Sequence, residues 1–390
     1  MAAIAPTTAP APTSALPRID FLYLSEPDMI AAGVTDMAAC VDTMEETLAL
    51  LYKGDYRMAG ENGDSHGAMV LFPDEPEFAG MPKNGPDRRL MAMPAYLGGD
   101  FGTCGAKWYG SNADNRTKGL PRSILVFVLN DADTGAPLAF MSANLLSAYR
   151  TGAIPGVGAR YFAPEGAETV GIVGPGVMAK TSLEAFIVAR PGLKTLKVKG
   201  RGQASLENYC AWAAKTFPQL TTIEVVDTVE ETVIGSDIVS YCTSVTGEDG
   251  DIPIVRREWA KPGAFFSMPA SCDIDDGMIE ADVRKIVDNR GLYEAWAEEY
   301  PYPTFRTLPL VGSKFTDLIH DGRMTLDQME DLGGVVAGAT PGRKSEDEVV
   351  ILSVGGMPVE DVAWGTKVYR NAIARGIGAP LNLWETPALA

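Results

Sequence analysis

One run constrains the fold more than any other: Val170-Gly171-Ile172-Val173-Gly174-Pro175-Gly176-Val177-Met178-Ala179. A short apolar segment leads into Gly174-Pro175-Gly176, and a helix-like segment follows. In such a turn the first glycine allows the chain to reverse tightly. The second lets the backbone approach a ligand, and the third position, here Ala179, must be small so that the helix packs on the strand. The free N–H groups of the helix start would then face a pyrophosphate. Glycine-rich turns are common, so the surrounding pattern has to decide.

That pattern is an alternation. Strand-like stretches at Thr195 to Lys199, Thr222 to Val226, Asp237 to Thr243 and Gly263 to Met268 are separated by helical stretches at Ala204 to Phe217 and Thr228 to Gly235. Alternating elements predict a doubly wound parallel sheet, with the glycine-rich turn after its first strand. The turn therefore reads as a dinucleotide site formed by Gly174, Gly176, Val177, Met178 and Ala179. The second strand ends in Lys199-Gly200-Arg201-Gly202-Gln203, where an NAD site carries an acid for the ribose hydroxyls. No carboxylate stands there, and Arg201 suits a 2′-phosphate through its forked donors. NADP(H) is thereby favoured, with NAD(H) left open and solvated surface cations as the alternative reading of Lys199 and Arg201. Thr243 and Ser244 follow the Asp237 strand, either as neighbours of the nicotinamide or as plain strand-end hydroxyls.

A chain of 390 residues exceeds what one core usually holds. The region before the turn reads as a mostly antiparallel sheet with one or two helices. Leu145 to Phe162 is helical and rich in small residues, which implies close packing on other backbone. Helices at Thr325 to Leu332 and Val362 to Ala374 are expected to fold back on the N-terminal half. The formal net charge of -18 argues against sequence-independent nucleic-acid binding. No apolar run is long enough to span a membrane. Five scattered cysteines without a CxxC pair, and two histidines, suggest neither a disulfide framework nor a metal centre. Free thiols fit a reducing cytoplasm. Met1 to Leu16 is rich in Ala, Pro and Thr and reads as a disordered tail, not a secretory signal. His66 and His320 are given no catalytic part, and Cys272 is read as packing.

Motifs spread from about Phe21 onward resemble the ornithine cyclodeaminase/mu-crystallin family. They are Met93-Pro94-Ala95-Tyr96-Leu97-Gly98-Gly99, Gly105-Ala106-Lys107, Asp131-Ala132-Asp133-Thr134-Gly135, Tyr149-Arg150-Thr151-Gly152-Ala153, Lys261-Pro262-Gly263-Ala264, Gly342-Arg343 and Pro358-Val359-Glu360-Asp361. The Arg-Thr-Gly-Ala helix placed before the Gly174 turn is the most specific of these. The insertion around Pro73 to Asp87 and the long C-terminus depart from shorter members and suggest a longer subgroup, one that carries a tyramine oxidase label.

The resemblance implies an α/β protein with a central Rossmann-type domain at 151–335. A discontinuous α+β substrate and dimerisation domain would be built from 17–150 and the returning segment 336–390. It implies a homodimer and hydride exchange between a nicotinamide and the carbon of a C–N bond in a small amino or imino acid. It assigns Arg150 to the substrate carboxylate and Lys107 to the carboxylate and reacting nitrogen. Val354, Gly355 and Gly356 fall to a nicotinamide-contacting loop, although a plain turn before a helix would read the same. Arg57 fits a second carboxylate-binding arginine or a surface charge. Asp273 stands one residue from the place of an aspartate that works at the amine in cyclodeaminases, while Cys272 occupies the ungapped position. An imine reductase or amino-acid dehydrogenase is the leading expectation. An ornithine or lysine cyclodeaminase with bound NAD and a non-catalytic NADPH-binding protein are the alternatives.

Overall fold

The computed structural model describes residues 18–243, 252–280 and 282–389. The expected N-terminal tail and Ser244 lie outside the described residues. The chain forms two large sheets with helices packed between and around them.

One sheet runs in the order Ala379–Trp384, Ile19–Leu24, Pro137–Ser142, Ser123–Asp131, Thr103–Ser111, Arg89–Leu97 and Tyr56–Met58, with Ala68–Leu71 also paired to Arg89–Leu97. Its pairs are antiparallel except for Ile19–Leu24 beside Pro137–Ser142. The central strands alternate, and the odd-numbered residues of Arg89–Leu97 and Thr103–Ser111 point mostly inward. Over that inner face lies the helix Pro358–Arg375, whose Trp364 donates to the Val34 carbonyl (3.1 Å) and whose Thr366 meets Thr103 (2.7 Å).

The other sheet is wholly parallel, in the order Thr222–Val225, Thr195–Lys199, Thr169–Val173, Ile238–Tyr241, Phe265–Met268, Val349–Ser353, Val283–Val287 and Met329–Asp331. Its order reverses at Thr169–Val173, so the chain leaves this strand at a topological switch point, where open α/β sheets bind ligands. The inner strands are apolar on both faces, as a doubly covered sheet requires.

The helix Asn144–Phe162 joins the two sheets. A side chain at Gly152 would run into Thr181, one at Gly156 into Ala185, and one at Gly158 into Leu352 and Phe265. Its glycines are thus spent on close approach to the helix Val177–Ala189 and to the parallel sheet.

Two expectations change. The segment 336–390 does not all return to the first sheet, because Val349–Ser353 is an interior strand of the parallel sheet, between Phe265–Met268 and Val283–Val287. Thr325 to Leu332 is not a helix but a 3-10 turn at Leu326–Gln328 and an edge strand at Met329–Asp331. The following helix is the short Leu332–Val336, whose Gly333 lies against the Leu48 carbonyl.

Candidate active site

The glycine-rich turn has the geometry a dinucleotide needs. Gly174 sits at φ +92°, donates to the Lys199 carbonyl (2.8 Å), and has no room for a Cβ, which would stand 2.9 Å from the Cys242 carbonyl carbon. Only glycine meets both demands. Gly176 differs: its φ is −112° and a Cβ there would meet open space. Nothing in the fold requires this glycine, so the requirement falls to whatever occupies the space. Ala179 is fully buried, while Val177 is 67% exposed at the first turn of the helix. No side chain caps that helix, which leaves its first-turn N–H groups for an anion. Gly200 packs on the Pro175 ring and admits no side chain, and Arg201 beside it is exposed. Thr243 is partly buried and donates to the Ser271 carbonyl (2.8 Å). It follows the strand next to Gly174, since Cys242 donates to the Val173 carbonyl (2.7 Å).

The second half of the site is a buried cluster of charge. Lys107, on an inward position of Thr103–Ser111, donates from Nζ to Asp361 (2.8 Å) and Ser147 (3.2 Å). Arg150 donates from Nη1 to Glu360 (2.6 Å) and from Nε to Asp361 (3.1 Å). All four charged side chains are buried. Glu360 and Asp361 occupy the first turn of Pro358–Arg375, where the helix dipole favours carboxylates and Pro358 costs no hydrogen bond. Arg150 Nη2 makes no hydrogen bond among the described residues, and neither does Glu360 Oε1. One edge of the guanidinium is thus left to receive a carboxylate.

The loop between Val349–Ser353 and this helix closes the cluster. Val354 is buried. The Gly355 and Gly356 N–H groups both donate to Asp288 (2.8 Å each), a buried residue just past Val283–Val287. Gly355 has Leu292 and Trp296 against it. Gly356, at φ +74°, lies where a Cβ would stand 2.8 Å from Arg150 Nη1. Both glycines are needed for the loop to pass between the arginine and the tryptophan.

Burial sets the protonation of the cluster. It pushes Lys107 down to about 8, helped by the neighbouring Arg150 cation and opposed by Asp361. It pushes Glu360 up to about 7, with Arg150 opposing and Asp288 adding repulsion. Asp288 rises to about 6, again through burial, against the N–H groups of Gly356, Asn289 and Gly355. Breaking a buried ion pair is costly, and an apolar substitute for the whole pair is often no worse. A cluster with pKa values moved toward neutrality therefore marks a functional site better than a structural one.

The structure thus brings Lys107, Arg150, Val354, Gly355 and Gly356 into one place. Arg57 and Asp273 make no hydrogen bond to this cluster among the described residues. Arg57 is exposed and donates to the carbonyls of its own turn, Gly54 (3.2 Å) and Tyr56 (2.5 Å). Asp273 is paired with Lys314. Cys272 is buried beside Met268, as packing requires.

Three participants are not legible in the sequence. His66, which the sequence gives no part, lies against the Trp296 ring (centroids 5.5 Å apart) and near the Gly356 backbone. Burial, then the cations of Lys107, Arg150 and Arg89, hold it down to about 3, so it is a neutral hydrogen-bonding group at this site. Asp288 carries no sequence signal, because it ends a strand that charged residues disguise. Glu360 stands in a motif without an assigned part; an acidic pair directly after Pro at a helix start is the available clue.

Comparison with known proteins agrees with this architecture. N-((2S)-2-amino-2-carboxyethyl)-L-glutamate dehydrogenase of Staphylococcus aureus is 28% identical over 369 residues, 94% of this chain and 99% of that protein. Ketimine reductase mu-crystallin of Rattus norvegicus is 28% identical over 72% of this chain and 79% of its own. Among solved structures, Δ(1)-pyrroline-2-carboxylate reductase of Thermococcus litoralis, in complex with NADH and L-proline, superimposes with a TM-score of 0.74 at 22% identity. That match covers 93% of this chain and all of that one, and it shows a shared fold. The pattern of one family matches residues 33–376, and the chain belongs to it: the ornithine cyclodeaminase/mu-crystallin family.

Proposed function

We propose that the protein is an NAD(P)H-dependent oxidoreductase acting on the C–N bond of a small amino or imino acid. One observation carries this reading. A buried Lys107–Arg150 pair is held by the acidic start of one helix, and the loop leading into that helix leaves the C-terminal edge of the sheet that bears the Gly174 turn.

Gly174, Gly176, Val177, Met178, Ala179 and Arg201 would hold the dinucleotide, with Thr243 and the Val354 to Gly356 loop toward its nicotinamide. Bound there, the nicotinamide supplies or takes a hydride. Arg150 binds the substrate carboxylate through its unpaired edge. Lys107, protonated below about 8, gives a proton to the imine nitrogen as Cα is reduced, and takes one back in the oxidative direction. His66 offers a neutral ring to the bound acid and adds no charge. Trp296 and Leu292, against Gly355, and Met93, paired with Lys107, are buried apolar neighbours of this cluster.

The Staphylococcus, Archaeoglobus and rat relatives are named a dehydrogenase, an alanine dehydrogenase and a ketimine reductase, all of which join hydride transfer to a C–N bond. The cyclodeaminase alternative asks Asp273 to work at the substrate amine, but its carboxylate is engaged by Lys314. Reduction or dehydrogenation is therefore the better reading. NADP(H) is favoured on Lys199, Gly200 and Arg201 alone, since the structural relatives are described with NADH or NAD. Replacing Arg201 with Ala should weaken NADPH about tenfold relative to NADH. An unchanged ratio would remove the argument for NADP.

We also place the protein in the cytoplasm as a homodimer. No helix among the described residues is long and apolar enough to cross a membrane. The outer face of the antiparallel sheet, with Trp108 and Ile124 about half exposed, is an apolar surface that a second copy would cover. The decisive experiment follows NADPH oxidation by purified protein over cyclic imines and over 2-oxo acids paired with amines, with ornithine and NAD in parallel. Turnover of one imine class is expected. Flat traces throughout, with cofactor bound, would leave a binding protein instead.

A further inference from the structure

We propose that Asp288 is a positioning residue for the nicotinamide: its carboxylate turns the peptide planes of the loop at Val354 to Gly356 so that the Val354 and Gly355 carbonyls face the cofactor and accept from its carboxamide. The proposal rests on the oxidoreductase reading above, which puts this loop toward the nicotinamide, and names what fixes the loop there.

The sheet order sets the argument. It runs from Thr169–Val173 through Ile238–Tyr241 and Phe265–Met268 to Val349–Ser353 and then Val283–Val287. The loop leaves Val349–Ser353, and Asp288 directly follows Val283–Val287. Asp288 therefore stands on the side of the loop away from the Gly174 turn. Its own N–H donates to the Ser353 carbonyl (3.2 Å), while the Val354 N–H donates to the Met268 carbonyl (3.1 Å). The start of the loop is thus held from both flanks.

The side chain then sets its direction. Asp288 Oδ2 accepts from the N–H groups of Gly355 and Gly356 (2.8 Å each), and Oδ1 accepts from Asn289 (3.1 Å). In a trans peptide the N–H and the preceding C=O point in opposite directions. Both loop peptides are trans. The Val354 and Gly355 carbonyls are therefore directed away from Asp288.

These carbonyls are left over. Neither accepts a backbone hydrogen bond among the described residues, although Val354 is only 1% exposed. A buried carbonyl without a donor is costly. A carboxamide offers two N–H donors, which is what two such carbonyls lack.

The anchor is suited to the task. Asp288 is buried, and burial raises its carboxyl to about 6 against the N–H groups of Gly356, Asn289 and Gly355. Above that value it is a carboxylate, whose bonds to N–H groups are roughly twice as strong as those of a neutral oxygen. A pair of glycines, one at φ +74°, would otherwise be free to turn their peptides over.

The test reads binding rather than turnover. Purified protein is titrated at pH 8 with the reduced dinucleotide it binds more tightly, NADPH or NADH. It is titrated in parallel with the 3-acetylpyridine analogue of that dinucleotide, in which a methyl ketone replaces the carboxamide, and with the matching ADP-ribose fragment, which lacks the ring. The wild-type chain should hold the carboxamide form about tenfold more tightly than the methyl ketone. In Asp288→Ala this ratio should collapse toward one while the fragment binds as before. Asp288→Asn keeps an oxygen for the two glycine N–H groups and should retain most of the ratio. Equal affinity of the wild type for both forms would overturn the proposal, and this arm needs no variant. So would an Asp288→Ala protein that keeps the ratio, or an Asp288→Asn protein that loses it. An Asp288→Ala protein that loses the fragment in step with the dinucleotide would also overturn it, since Asp288 would then hold the domain and not the ring. Carboxamide preference in a protein that turns over no imine would sink the enzyme reading and leave this one standing. Failure to bind any dinucleotide would sink both.

Discussion

The two halves of the site are built in opposite ways. The Gly174 turn is local: strand, turn and helix start fall within Thr169 to Ala179, and its chemistry is that of backbone N–H groups. The charge cluster is assembled from afar, since Lys107 and Asp361 are 254 residues apart and Arg150 and Asp361 are 211 apart. A local device needs permissive residues and announces itself as a pattern. A non-local one needs charged side chains at points the chain reaches by folding, and no spacing reveals it. The glycines in the two halves differ accordingly. Gly174 and Gly356 are held by positive φ and by contact with the protein itself, whereas Gly176 borders open space.

The largest effect that can test this contrast is in the distant half. Replacing Lys107 with Met should lower kcat/KM by 10²- to 10⁴-fold, about the worth of a positioned proton donor. NADPH affinity, read by fluorescence titration, should be unchanged, because the turn that binds it lies elsewhere. Replacing Arg150 with Met should also abolish turnover, but at a structural cost. It strands Glu360 without its partner and leaves Asp361 with Lys107 alone, and loss of one member of a buried pair costs about 3–5 kcal/mol. Chemical denaturation should show that loss, and Glu360→Gln in the same chain should recover part of it. An Arg150→Met protein of full stability and wild-type KM would mean that neither the cluster nor the carboxylate assignment is correct.

The next test acts on the glycines. Gly174→Ala should destabilise the fold by about 1–3 kcal/mol, from the strained φ and the contact with Cys242. Gly176→Ala should leave thermal stability close to wild type, because its φ is ordinary and the space beyond it is open. It should still weaken NADPH binding tenfold or more. Equal effects of the two substitutions on stability would erase the distinction between a glycine kept by the fold and one kept by the ligand.

Much of the parallel sheet is legible because buried parallel strands read as continuous apolar runs. The exceptions have physical causes. Val283–Val287 contains Arg284 and Lys285, which look wrong for an interior strand. Arg284 is neutralised by Glu330 (2.7 Å) and bonded to the Gly342 and Pro341 carbonyls, and Lys285 Nζ caps the carbonyls of Glu280 and Val283. Missing that strand hides Asp288 at its end. Arg343, one of the motif residues, is likewise structural, with its guanidinium gathering the carbonyls of Phe162, Gly263 and Glu348. His66 escapes a reading by sequence because a lone histidine offers no spacing, and only the fold brings Trp296 and Gly356 to it. Arg57 is a cation at a suggestive position whose side chain bonds to the carbonyls of its own loop.

A smaller effect, on pH dependence, separates the two halves without changing a residue. The folded Lys107 holds its proton only up to about 8, against 10.5 for a free side chain. The reductive direction requires that proton, so kcat/KM for imine reduction should be flat below this value and fall tenfold per pH unit above it. The oxidative direction requires the free amine and should rise over the same range. For stability the sign is set by the same shift. A depressed lysine pKa means that the unfolded chain binds more protons between about 8 and 10.5, so this group's contribution to stability increases with pH in that window. Glu360 acts below it: its carboxyl is raised from 4.5 to about 7, so its contribution is fully present below 4.5 and is lost as pH rises through 7. Glu360→Gln should remove the second slope and leave the first. NADPH binding at the Gly174 turn, which relies on backbone donors, should be nearly level from pH 7 to 9 in both proteins. If cofactor affinity instead follows the Lys107 titration, the two halves are coupled, and the division between a local backbone site and a distant charged one fails.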